Sequence, residues 1–93
     1  MRTIERTTAF KRDFKREAKG RHRGILDTEL RQVIVALASD EPLEPRHRDH
    51  ALSTDWKDYR DRHVKPYLVL IYRLIGEDRL ILARRGSHSE LDL

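Results

Sequence analysis

Residues 47–66 read His-Arg-Asp-His-Ala-Leu-Ser-Thr-Asp-Trp-Lys-Asp-Tyr-Arg-Asp-Arg-His-Val-Lys-Pro and hold three of the chain's five histidines, His47, His50 and His63. Four aspartates (Asp49, Asp55, Asp58, Asp61) and the cations Lys57, Arg60, Arg62 and Lys65 are interleaved with them. Imidazoles titrate near neutrality, so imidazole, carboxylate and guanidinium groups mixed this densely suit proton transfer beside an anion. The same mixture also suits a solvated surface strand. If residues 56–64 are extended, alternation puts Lys57, Tyr59, Asp61 and His63 on one face and Trp56, Asp58, Arg60 and Arg62 on the other. Asp61 and His63 are then neighbours, and a carboxylate beside a histidine raises the imidazole pKa and fixes the ring. His50 from the preceding loop and His88 beyond the last strand can reach the same end of the sheet.

Metal ligation is the rival use of these groups. His47-x-x-His50, with Asp49 alongside and His63 as a third donor, has the right ligand types. The spacing is common, however, and lies in a proline-containing loop. The chain has no cysteine and no second tight pair. No metal and no other cofactor is expected, and without cysteine there is no disulfide framework.

The elements that must position this stretch are read from periodicity. Residues 2–8, rich in β-branched side chains, form a first strand. Thr8 caps a following helix with an apolar stripe of Phe10, Phe14 and Ala18, ending at Gly20. The opposite face carries Lys11, Arg12, Lys15, Arg16 and Lys19. A second helix buries Leu26, Leu30, Val33, Ile34, Leu37 and Ala38, and Asp40, Pro42 and Pro45 end it. After a 40–54 loop come strand 56–64, an interruption at Pro66, and Tyr67–Ile75, apolar on both faces as a central strand is. A Gly76-Glu77-Asp78 turn leads to the return strand Arg79–Arg85. The order β-α-α-β-β-β predicts an α+β fold, a small, mainly antiparallel sheet packed against an N-terminal helical hairpin.

The chain's 93 residues suit one domain, 1–93, and carry 20 Lys+Arg against 16 Asp+Glu. The excess gathers in residues 1–23, nine basic against three acidic, which favours nucleic-acid phosphates or an acidic protein partner over a plain solvated face. No apolar run approaches the roughly 18 residues of a membrane span, and no secretory signal is expected. A soluble, cytoplasmic protein with no membrane partner is expected.

Particular residues sharpen this. Asp49-His50-Ala51-Leu52, Trp56-Lys57-x-Tyr59-Arg60-Asp61-x-His63-Val64-x-Pro66, Leu70-Ile71-Tyr72-Arg73-Leu74 and Arg84-x-Gly86-Ser87-His88 resemble the YafQ branch of the RelE-type toxins of bacterial type II toxin–antitoxin systems. The resemblance implies the same RelE-like fold and a ribosome-dependent mRNA endoribonuclease, an mRNA interferase working without metal. It further implies catalytic roles for His50, His63 and His88, with Asp61 orienting them and Arg84 stabilising phosphate. Lys57, Arg60 and Tyr67 are the further RNA- or phosphate-binding candidates. The implied partners are a cognate antitoxin (DinJ- or RelB-like), the 70S ribosome A site with its mRNA and 16S rRNA, and operator DNA only through the antitoxin complex. Two positions depart from the family pattern. Tyr67-Leu68 stands where the family has Asp-Trp, and Asp92 stands nearest a family phenylalanine. They leave a second expectation, a catalytically weakened module of the same fold that binds antitoxin, ribosome or operator DNA.

Overall fold

A computed structural model describes residues 1–17, 23–41, 50–52, 57–65, 67–87 and 89–91, with the backbone alone at 17, 23–27 and 50. Expectations about Ala18, Lys19, Gly20, Pro42, Pro45, His47, Asp49, Asp55, Trp56, Pro66, His88 and Asp92 lie outside the described residues, as does the side chain of Leu26.

The elements are β1 (Thr3–Arg6), α1 (Thr8–Glu17), α2 (Arg23–Ala38), β2 (His50–Ala51), β3 (Arg60–Lys65), β4 (Leu68–Ile75) and β5 (Arg79–Gly86). They confirm the α+β order with one addition, the two-residue strand β2 inside the expected loop. So short a segment has no periodicity to read. The sheet has five strands in the order β1-β5-β4-β3-β2. Among the described strands, β1 runs parallel to its neighbour, β5, and the other pairs are antiparallel. The expected strand 56–64 is shifted. Lys57 and Asp58 form a turn, with Asp58 at φ 75°, and β3 runs on to Lys65.

Central strand β4 alternates between two apolar clusters, which explains its hydrophobicity on both sides. Leu68, Leu70 and Tyr72 pack with Val64, Leu80 and Leu82 under Phe10, Leu30, Val33, Leu37 and Ala38 of the helices. Val69 and Ile71 point the other way and join Ala83, Leu91, Leu52 and Tyr59. Both helices therefore cover one face of the sheet, and Leu52, Tyr59 and Leu91 pack on the second. At the β4–β5 hairpin, Gly76 takes the positive φ of 54° that the turn needs.

The start of α1 corrects two expectations. Its cap is Thr7 rather than Thr8. The Phe10 N–H donates to Thr7 Oγ1 (3.0 Å), while the Thr7 hydroxyl donates to the Ala83 carbonyl (2.7 Å) and ties the cap to β5. Phe14 is also not core: it is 41% exposed, whereas Asp13 is 2% exposed. The inward stripe of α1 is Phe10 and Asp13, because α1 ends against a strand edge that offers polar groups.

A candidate active site on the open face of the sheet

Antiparallel partners directly opposite each other share a face, so register shows what β2–β5 bring together. One row across four strands is His50–Asp61–Ile71–Arg84. The adjacent row is His63–Val69–Gly86. Neighbouring strands lie about 4.8 Å apart, so both rows fall within a patch the size of a few nucleotides. Val69 and Ile71 belong to the open-face cluster, which assigns Asp61, His63 and Arg84 to the face away from the helices.

A β-bulge is what puts Arg84 there. Ile71 pairs with Arg84 but Tyr72 pairs with Leu82, so Ala83 is the extra residue and the alternation of β5 reverses beyond it. Leu80 and Leu82 face the helices. Strict alternation would have turned Arg84 the same way.

Asp61 and His63 stand on β3 with Oδ2 and Nε2 3.6 Å apart, Asp61 being buried and the His63 side chain 19% exposed. That separation is an ion-pair distance, longer than a hydrogen bond. A buried carboxylate beside a partly open imidazole can orient the ring and balance positive charge on it, and the open edge of the ring can exchange a proton with a ligand. His50 takes the register position opposite Asp61.

Arg84 has a more constrained setting than its sequence discloses. Its Nε donates to Asp13 Oδ2 (2.7 Å) and its Nη2 to Asp13 Oδ1 (3.0 Å). This paired hydrogen bonding raises the guanidinium pKa further above its ordinary value, against the opposing effect of burial. The Arg85 N–H donates to Asp13 Oδ2 as well (3.0 Å). The ladder explains why. β1 pairs with β5 only as far as Leu82, the Thr7 N–H closes that edge on the Leu82 carbonyl (3.1 Å), and Asp13 then takes over as acceptor where a strand would have been. The sequence signal was an aspartate one position before Phe14, amid lysines and arginines, but nothing in it named the acceptor's partners.

Past Gly86 the chain makes a reciprocal turn. The Ser87 N–H donates to Glu90 Oε1 (2.8 Å), the Glu90 N–H to Ser87 Oγ (3.2 Å), and the Leu91 N–H to the Ser87 carbonyl (3.1 Å). The Ser87 backbone bond holds the Glu90 carboxyl below its ordinary value against partial burial, helped by the Ser87 side chain and Arg16. Leu91 then folds back beside Val69, Ile71 and Ala83.

The remaining candidates are less concentrated. Tyr59 packs partly against the open-face cluster, with the Arg73 guanidinium 5.9 Å from its ring centroid. Lys57 is exposed in the turn before β3, and Tyr67 is exposed between β3 and β4. Arg60 is separated from the Asp61–His63 pair. It stands opposite Tyr72 and lines a groove of about 280 Å³ with Leu37, Asp40, Glu41, Arg62, Tyr72 and Leu74. Among the described residues, no three or more His, Cys, Asp or Glu side chains gather as a metal site would need. No described helix is long and apolar enough to cross a membrane.

Known proteins resemble the chain in both sequence and fold. The mRNA interferase toxin YafQ of Escherichia coli (strain B / BL21-DE3) is 37% identical over 92 residues, covering 97% of this chain and 95% of the relative. The E. coli DinJ–YafQ complex contains a chain that superposes with a TM-score of 0.81 at 36% identity, 98% of each chain being covered. A metal-bound toxin from Helicobacter pylori superposes with a TM-score of 0.84 at 39% identity, covering 98% of this chain and 99% of the other. The sequence model described as "Bacterial toxin of type II toxin-antitoxin system, YafQ" matches residues 2–93, and the chain belongs to that family.

Proposed function

We propose that this chain is an mRNA endoribonuclease of the mRNA interferase kind, cutting message in the A site of the 70S ribosome without a metal ion. The observation that carries the reading is the Asp61–His63 pair on the sheet face away from the helices, with His50 and Arg84 in the row through Asp61. The name of the E. coli relative supports the same activity. In the reaction the 2′-oxygen forms a bond to the adjacent phosphorus as the bond from phosphorus to the 5′-oxygen breaks. One imidazole takes the 2′-hydroxyl proton and a second group returns a proton to the leaving 5′-oxygen. The products are a 2′,3′-cyclic phosphate and a 5′-hydroxyl.

His63 is one acid–base partner, oriented by Asp61, and His50 or His88 is the other. Arg84 faces the crowded phosphate oxygens with a guanidinium already aimed by Asp13. The exposed cations of α1 (Lys11, Arg12, Lys15) and Lys57 meet 16S rRNA phosphates, with Tyr67 available for stacking. A cognate antitoxin, by analogy with the E. coli DinJ–YafQ complex, covers the basic surface, and operator DNA is contacted only through that complex. The setting is the cytoplasm, where ribosomes translate.

The test is cleavage of mRNA on purified programmed ribosomes. In-frame cuts with cyclic-phosphate ends are expected, with a loss of at least about 10²-fold in His63→Gln. A parent-like rate in His63→Gln refutes the acid–base assignment. Because a relative has been solved with metal bound, the assay is repeated with a chelator that spares Mg²⁺ for the ribosome; lost cleavage there refutes the metal-free chemistry. A parent protein that binds ribosomes or antitoxin yet does not cut is instead the weakened binding module. Leu68 favours that second reading, since it is buried in the helix-side core and offers the site no polar group.

A further inference from the structure

The polar groups of α1 that meet β5 and the C-terminal turn form one connected brace. Asp13 holds both the Arg84 guanidinium and the Arg85 N–H. Arg16 Nη1 donates to Asp13 Oδ1 (3.2 Å), and its Nη2 to the Arg85 carbonyl (3.4 Å). Arg16 Nε lies 3.1 Å from Glu90 Oε2, and Glu90 closes the Ser87 turn with its other oxygen. Gly86 completes the fit. A Cβ there would fall 3.0 Å from Arg16 Nη2 and 3.2 Å from Glu90 Oε1, so a side chain at 86 would make the ends of Arg16 and Glu90 shift by a few tenths of an ångström.

We infer that Asp13, Arg16 and Glu90 are positioning residues for RNA cleavage, holding Arg84 and the Ser87–Leu91 turn in register with the Asp61–His63 pair. The inference rests on the proposed nuclease reading, because it assigns Arg84 to the scissile phosphate. None of the three touches RNA. Their effect passes through a guanidinium that keeps one orientation and a turn that keeps one exit angle from β5. A fork-shaped cation prealigned by a buried carboxylate loses little freedom when it meets phosphate. A displacement of about 1 Å at a reacting centre lowers rates by about 10²-fold. The brace therefore acts mainly on kcat, while ribosome binding, spread over the exposed cations Lys11, Arg12, Lys15 and Lys57, changes little.

The experiment measures kcat and KM on programmed ribosomes for Arg16→Met, Glu90→Ala, the double variant and Glu90→Gln, at a temperature where circular dichroism shows each folded. Arg16→Met and Glu90→Ala are each expected to lower kcat by about tenfold or more, with KM unchanged in Glu90→Ala and changed far less than kcat in Arg16→Met. The double variant should be no worse than the worse single, as for two residues on one link. Glu90→Gln, which can still accept the Ser87 N–H, should recover most of the rate. Glu5→Gln, at an exposed ion pair with Arg79 on the far end of β5, is the control and should match the parent. Parent-like kcat in both single variants, a change confined to KM, or a loss that only follows the unfolded fraction overturns the inference. If His63→Gln is inactive while the brace variants are not, the brace alone is refuted. A parent that does not cut, or a His63→Gln that cuts as well as the parent, overturns the nuclease reading and the brace with it.

Discussion

Asp13→Ala is the substitution whose cost can be worked most directly from the structure. The carboxylate is 2% exposed and accepts four donors, Arg84 Nε and Nη2, the Arg85 N–H and Arg16 Nη1. Removing it leaves the Arg85 N–H buried without this acceptor, at about 1–3 kcal/mol. It also strips the two arginines of their shared counter-charge. Their side chains are 27% and 43% exposed, so water recovers much of that loss, and the charge contribution is about 1 kcal/mol rather than the 3–5 of a fully buried broken pair. A total near 3 kcal/mol corresponds in a domain of this size to a fall in Tm of roughly 12–24 °C. Thermal unfolding by circular dichroism, with urea titration as a check, reads it directly. Arg84→Met should cost less, because Asp13 keeps Arg16 and the Arg85 N–H, and the double variant should fall short of the sum by about 1 kcal/mol or more. A loss below about 1 kcal/mol in Asp13→Ala, or strict additivity with Arg84→Met, would show that Asp13 is a bystander to the strand edge.

Three other outcomes follow from the same contacts. Glu90 has a depressed carboxyl pKa, so the unfolded chain binds the extra proton; its stabilisation is complete above its ordinary value near 4.5 and disappears as pH falls through the lower folded value. The Tm gap between the parent and Glu90→Gln should therefore be larger at pH 7 than at a pH well below that ordinary value, and a constant gap would contradict the sign. Gly86→Ala should destabilise by about 1 kcal/mol, from its positive φ of 157° and from the few tenths of an ångström by which the ends of Arg16 and Glu90 must give, whereas a neutral result would mean that neither matters. Phe10→Ala should cost about 3–5 kcal/mol as a core deletion, while Phe14→Ala, 41% exposed and stacked beneath Arg85, should cost about 1 kcal/mol; equal losses in urea titrations would refute the assignment of the α1 faces.

One half of the candidate site could be read from residue order and the other could not, and the difference is physical. Asp61 and His63 share a strand, so period-two alternation alone makes them neighbours, and the apolar stretch 67–75 identified the central strand on which they lean, which the structure starts at Leu68. Residues joined by long-range contacts carry no such period. Arg84 meets Asp13 across 71 positions, and its face depends on one extra residue, Ala83, that no alternation rule announces. The misplacement of Phe14 has the same origin. A four-residue apolar spacing predicts an inward stripe only when the surface it meets is apolar, and α1 meets the exposed N–H and carbonyl edge of β5 where β1 has ended. An edge of that kind selects a carboxylate and a guanidinium. What reads in the sequence as an acid out of place on a basic helix is therefore a substitute for a missing strand, and the arginine it holds is fixed on the open face beside the imidazole that would share the chemistry.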